Sequence, residues 1–377
     1  MSFPTIDQLF RQSTYTLPEP HLARHMISST CASPGTTGLR LTVLLLSLLL
    51  GYGCSQEADA PRRPLVLGGL TMGTTYSIKI HAPGIDTRKE SIHDGIRLIL
   101  AEVNASMSTY IEDSELSLIN RARADMLIPL SPGLFEVLSA AMEINRLTAS
   151  GFDITVGPLV NLWGFGPQKS RTVPARQDID IALERSGINL LQLQESPPAL
   201  AKKKDDVYID LSGIAKGFAV DKIADYLASQ GIKNYLVEIG GEIRASGTNE
   251  IGFAWRIGIE QAVSESRGVQ GVIALDNMAL ATSGDYRNYF EEDGVRYSHT
   301  IDPRTGYPIS HKLASVSVLH PQAAWADALA TGFLVLGTQS ARKIAEDLGL
   351  AVMFIEKDGS GFSESYTPAL EAFLLPQ

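Results

Sequence analysis

Asp210-Leu211-Ser212-Gly213-Ile214-Ala215-Lys216-Gly217-Phe218-Ala219-Val220-Asp221 is the stretch on which the reading of the chain turns. Residues 207–211 before and within it (Val-Tyr-Ile-Asp-Leu) have the β-branched and aromatic content of a strand, and residues 214–229 have the composition of a helix. Asp210 and Ser212 are helix-capping types. Gly213 allows the backbone to approach another group closely. Lys216 falls in the first helical turn, where unpaired N–H groups and the helix dipole already favour an anion. Strand, tight turn and a cation at a helix start describe a phosphate site. A capped helix with a surface lysine describes the same residues, and P-loop spacing is absent. A series of such units would make a doubly wound parallel sheet. The flanking sequence shows no regular βαβ alternation, so the expected fold class is α+β, with mixed, mostly antiparallel sheets and packed helices.

Working outward, segments 65–70 and 74–82 read as strands joined at Met72-Gly73. Helices are expected over 90–107, 114–120 (capped by Ser114), 132–150 and 179–185. Segment 151–157 reads as a strand or turn, and 168–176 as a polar loop. Trp163-Gly-Phe-Gly166 fits either a wall around a flat ligand or a buried aromatic turn. Segments 235–239, 242–245, 255–260, 272–276 and 279–283 read as strands of one antiparallel sheet. A hairpin over 286–301 turns at Asp293-Gly294. A strand over 313–319, helices over 323–336 and 340–348, and a strand over 351–355 follow.

The chain has 377 residues, of which 44% are hydrophobic and 20% charged, enough for a large core and one or two domains. Its net charge of −10 argues against a nucleic-acid partner, which wants a basic face. The first 40 residues are polar, and residues 41–50 form an apolar run too short for a bilayer but long enough for a signal-peptide core. Gly51-Tyr-Gly-Cys54 follows and resembles a lipobox, although Gly51 stands where Leu is usual. The expected organisation is a leader over 1–53, a lipidated Cys54 with a tether over 54–64, and a catalytic domain over 65–377. An uncleaved N-terminal anchor is the alternative. The two cysteines, Cys31 and Cys54, lie outside the expected domain, so it offers no disulfide and no thiol nucleophile.

Two further segments carry chemistry. Asp327 and Thr331 are four apart in Ala326-Asp-Ala-Leu-Ala-Thr331 and share one helix face. A carboxylate and a hydroxyl there suit a hard cation such as Mg²⁺, or an Asp bonded within its own helix. His299 and Asp302 lie in Ser298-His-Thr-Ile-Asp-Pro-Arg-Thr-Gly306, where an imidazole could act as a base near neutral pH or serve the fold. There is no Gly-x-Ser-x-Gly elbow, no Cys/His metal spacing and no GxGxxG between a strand and a helix.

Taken in order, Met72-Gly-Thr-Thr-Tyr76, Ser108-Thr-Tyr110, Gly151-Phe-Asp-Ile-Thr-Val-Gly-Pro158, Asp210 to Gly217, Glu238-Ile-Gly-Gly241, Ala281-Thr-Ser-Gly284, Tyr286-Arg-Asn288, His299 to Gly306 and Ala326 to Thr331 resemble the ApbE family of FAD:protein FMN transferases. The resemblance spans about residues 65–360. It implies cleavage of FAD, attachment of FMN to a Ser or Thr hydroxyl of a partner protein, and release of AMP. It implies FAD contacts from Met72, Tyr110, Gly151, Phe152, Asp153, Asp210, Lys216 and His299, and a Mg²⁺ held by the Gly213 carbonyl, Asp327 and Thr331. His299 would be the base on the acceptor hydroxyl, with Asp302 or Arg304 supporting it, and Lys216 would neutralise phosphate charge. Acceptors of the family are subunits of membrane redox pumps of the NqrB/NqrC or RnfG/RnfD kind. An exported enzyme, lipid-anchored to the inner membrane and facing the periplasm, fits them. An FAD pyrophosphatase releasing FMN and AMP, and a non-catalytic FAD-binding lipoprotein, are the other readings; intact Asp327 and Thr331 speak against the second.

Overall fold

The computed structural model describes residues 63–166, 171–260, 269–285, 288–359 and 361–375. The leader, Cys54, most of the tether and part of the Tyr286-Arg-Asn288 motif lie outside the described residues. The strands are β1 (Leu65–Thr71), β2 (Thr74–Ile80), β3 (Ile128–Pro129), β4 (Leu191–Glu195), β5 (Pro198–Lys202), β6 (Tyr235–Ile239), β7 (Glu242–Ser246), β8 (Trp255–Glu260), β9 (Val269–Leu275), β10 (Met278–Gly284), β11 (Tyr289–Glu292), β12 (Val295–Ser298), β13 (Leu313–His320), β14 (Ala351–Asp358) and β15 (Gly361–Tyr366). The helices are α1 (Lys89–Met107), α2 (Glu115–Arg121), α3 (Pro132–Leu147), α4 (Gly157–Leu162), α5 (Arg176–Leu183), α6 (Ala215–Ser229), α7 (Ala323–Leu336) and α8 (Thr338–Asp347).

An eight-stranded sheet in the order β1-β2-β6-β7-β10-β13-β14-β15 is the frame. Every neighbouring pair in it is antiparallel. Side chains alternate across a strand, and in the middle of this sheet both faces are covered, whereas the edge strands β1 and β15 leave one face open. Val237, Val316, Val318, Val352 and Phe354 face the main core with the helices. Their neighbours Leu236, Leu319, Ala351, Met353 and Ile355 face a second core with Trp255, Ile273 and Leu275. This explains why β13 is buried along almost its whole length. The fold class is the expected α+β.

Local chemistry sets the turns. Met72 and Gly73 join β1 to β2 with φ of 49° and 74°, the two left-handed positions of a two-residue hairpin. Asp293 (51°) and Gly294 (75°) do the same for β11–β12. Ser114 caps α2 by accepting from Ser117 N, as its position predicts.

Three expectations need correction. Residues 207–211 form no strand. Asn120 reaches into this segment, its side chain accepting from Ile209 N (2.7 Å) and donating to Ile209 O (2.9 Å), so side-chain bonds replace a ladder. Neither Asp210 nor Ser212 caps α6, whose N-cap position is Ile214 with no side-chain cap. Asp210 Oδ1 instead accepts from Ser212 N (2.8 Å) and Ser212 Oγ in a local turn. Finally, β8 and β9 do not continue the large sheet but form a separate pair packed on its face.

Candidate active site

Lys216 reaches its position because α6 and α7 cross at very short range. A Cβ on Gly217 would lie 2.3 Å from Ala323 O, so glycine is required at the crossing. Asp221, one turn further along α6, accepts from Ala323 N and Ala324 N (both 2.9 Å) and so supplies the N-terminal cap of α7 from another helix. The crossing sets Lys216 beside Asp327, with Nζ 3.6 Å from Oδ2, and Gly217 N donates to the same oxygen (3.2 Å).

A second carboxylate joins them. Glu242, at the start of β7, lies with Oε1 3.2 Å from Lys216 Nζ. Glu242 and Asp327 are 4% and 3% exposed, and Glu242 Oε2 is buried without a partner. Two buried carboxylates thus share one ammonium. Burial would lower the Lys216 pKa, but Asp327 and Glu242 outweigh it and hold the lysine charged. Glu242 is pushed up to about 8 by burial, which the Lys216 charge only partly offsets, with Asp327 adding repulsion. Asp327 is raised by burial. The consistent protonation state is a charged lysine with one negative charge between the two acids. Glu242 escapes motif reading because it is 26 positions from Lys216 and opens a strand that also carries Arg244 and Ser246, so its charge does not stand out in the sequence.

The turn at Gly213 meets α7 at the same place. A Cβ on Gly213 would lie 3.2 Å from Thr331 Oγ1 and 3.1 Å from Phe152 Cε2. Thr331 Oγ1 is 3.1 Å from Ser283 Oγ of β10. Gly151 packs against α7, where a Cβ would lie 2.9 Å from Gly332 O, and this seats Phe152 near Gly213 and Thr331. Asp327, Thr331, the Gly213 backbone and Phe152 are therefore neighbours, although 152, 213 and 327 are far apart in sequence. Their oxygen donors suit a small hard cation, and a single protein carboxylate leaves coordination positions for phosphate oxygens and water. Among the described residues no group of three or more His, Cys, Asp or Glu forms an all-protein metal cage.

His299 is half-buried at the end of β12. Its Nδ1 lies 2.9 Å from Asn288 O. A carbonyl only accepts, so Nδ1 carries the proton and Nε2 is left as an acceptor. Burial lowers its pKa; the Asn288 bond and Asp285 oppose this, and the Lys216 charge reinforces it. Asp302 does not support His299. Its carboxylate grips Arg304 through Nε (2.9 Å) and Nη2 (2.7 Å), which shapes the turn. Asp153 is likewise committed internally: it accepts from Thr155 N and Oγ1, Ile188 N and Asn145 Nδ2. It is buried and holds the 151–155 loop. Trp163 is fully buried and donates to Gly306 O (2.8 Å), so the buried-turn reading holds for it, while Phe165 packs edge-on to His299.

Tyr110 is 67% exposed. Its partial burial and the Asp210 charge raise its phenol pKa. Met72 sits at the β1–β2 hairpin tip with φ 49°, a left-handed position that the two-residue turn itself accounts for. A cavity of about 660 Å³ lies elsewhere, between α1, α6 and the start of α3, and is lined by none of these residues.

The ApbE family model matches residues 72–354. A Vibrio cholerae protein named FAD:protein FMN transferase is 46% identical over 334 residues, covering 88% of this chain and 98% of its own length. The solved flavin transferase ApbE of Vibrio cholerae superposes with a TM-score of 0.77 at 44% identity, over 82% of this chain and 99% of that one. The apo flavinyl transferase ApbE of Pseudomonas stutzeri gives 0.76 at 38% identity, over 82% and 97%. On family match, relatives and fold alike, the chain belongs to the ApbE family.

Proposed function

We propose that the protein is an FAD:protein FMN transferase, which cleaves FAD and joins FMN to a hydroxyl of another protein. The observation that carries this reading is the convergence of Lys216, Asp327, Thr331 and the Gly213 turn in one place, with His299 in electrostatic reach of Lys216. The diphosphate of FAD is doubly negative and repels an incoming oxygen. Lys216 offsets that charge, and the exposed Tyr110 ring offers a surface for a flat ring system; Phe152, expected to do the same, is instead a buried core side chain packed against the Gly213 turn. Asp210 and Met72 would be further contacts to FAD. His299 Nε2 accepts the proton of the acceptor hydroxyl as its oxygen bonds to the FMN phosphorus. The phosphorus–oxygen bond to AMP breaks, and AMP leaves with the bridging oxygen. Asp327, Thr331 and the Gly213 carbonyl would hold Mg²⁺, which when bound supplies Lewis-acid neutralisation of the phosphates. In this reading Asp153 and Asp302 position loops and do not touch FAD.

The signal-like run over 41–50 and Cys54 support an exported lipoprotein tethered to the inner membrane and facing the periplasm. Redox-pump subunits of the NqrB/NqrC or RnfG/RnfD kind at that surface are the acceptors this placement favours. The test incubates residues 55–377 with FAD, Mg²⁺ and such a subunit. The expected result is a fluorescent flavin band on a denaturing gel with one AMP per FMN attached. FMN release without any labelled band would replace transfer by hydrolysis.

A further inference from the structure

Lys202 is 1% exposed at the end of β5, and no carboxylate lies within ion-pair distance of it among the described residues. Its ammonium donates to three carbonyls: Asn120 O (2.8 Å), Asp205 O (2.9 Å) and Val207 O (3.2 Å). An ammonium has three donors, so all are used. Burial lowers its pKa, against the opposing charges of Asp205 and Asp206. Burying a charge without an ionic partner is costly. A methionine would fill similar space without that cost, so packing alone does not account for a lysine here. What the charge does is tie the end of α2, the 205 turn and the start of segment 207–211 to one point.

Asn120 completes the arrangement. Its side chain takes both backbone groups of Ile209, as a neighbouring strand would. The next residue, Asp210, donates its N–H to Ile154 O (2.7 Å), which links the segment to the loop carrying Phe152. Without a β-ladder, these bonds fix where Asp210 and Gly213 stand.

We propose that Lys202 and Asn120 are positioning residues for the reaction: they set the 207–213 segment so that Asp210 and Gly213 meet FAD and the cation. This rests on the transferase reading above. Remote misplacement of about 1 Å at a reacting centre can cost on the order of 100-fold, so a measurable kinetic effect is expected from residues that touch no substrate.

The test compares Lys202→Met, Asn120→Asp and, as a control for general loss of stability, Leu200→Ala at a fully buried neighbour on β5. Lys202→Met removes the three donors. Asn120→Asp keeps the acceptor for Ile209 N–H and loses the donor to Ile209 O. Thermal melting, KM for FAD, kcat and FAD affinity by flavin fluorescence are measured on each. Lys202→Met is expected to raise KM and the dissociation constant for FAD about tenfold, and Asn120→Asp about threefold. Leu200→Ala is expected to lower the melting temperature while leaving both constants near wild type. The proposal is overturned if the folded variants bind FAD as wild type does, or if Leu200→Ala weakens binding as much as they do. Should Lys202→Met not fold, Asn120→Asp against Leu200→Ala decides alone. An inactive wild type would count against the transferase reading, whereas FAD binding still tests the positioning.

Discussion

Replacing Glu242 by Gln should change how stability depends on pH, and the size of the change follows from the site. Gln keeps the shape and the oxygen that accepts from Lys216 but cannot ionise. In the wild type the folded carboxyl is pushed up to about 8 from 4.5. The native state therefore holds a proton that the unfolded chain has released. This contribution is fully present below about pH 4.5 and is lost as pH rises through about 8. At ~1.36 kcal/mol per pH unit the whole effect is about 5 kcal/mol, and between about pH 5 and pH 9 about 4 kcal/mol of it is expressed. Glu242 is almost fully buried, so solvent screening does not reduce the figure much. The assay is urea unfolding of wild type and Glu242→Gln at stepped pH in chelator-containing buffer, with the m-value checked for constancy. The variant should gain on wild type by about 4 kcal/mol across that range. Parallel pH curves would refute the shared-charge account of Lys216, Glu242 and Asp327.

Other outcomes follow from the same geometry. Asp327→Ala should lower transfer by about a thousandfold while leaving a cooperative melt, because it removes the carboxylate assigned to the cation; a turnover assay beside circular dichroism decides, and an active variant unseats Asp327 from that role. His299→Gln should lower transfer by about 10² to 10⁴. In the wild type the acid limb of kcat/KM should lie below pH 6.5, because burial favours the neutral imidazole, and the limb should vanish in the variant.

Much of the fold was legible in the chain because its signals are local. The apolar run Ala323–Leu336, the Asp293-Gly294 turn and the Ser114 cap each depend on residues within one element. The strand expected over 207–211 failed because its apolar pattern reports burial, and Asn120 satisfies the backbone that a neighbouring strand would otherwise pair. The site divides along the same line. Lys216, Asp327, Thr331, Gly213 and His299 stand out by residue type and motif, whereas Asp302 and Asp153 have the right type but turn their carboxylates to Arg304 and to the 151–155 loop.

The amino-acid order by itself determined the α+β class, the hairpins, the family motifs and a hard-oxygen set four apart on one helix face. Only the tertiary structure decided that Glu242 shares the Lys216 charge, that Lys202 and Asn120 grip the segment before Gly213, and that His299 keeps its free nitrogen by bonding Asn288. The reason is physical: helical and hairpin propensities act over a few residues, whereas the state of a buried charge depends on groups that chain topology brings together from far apart.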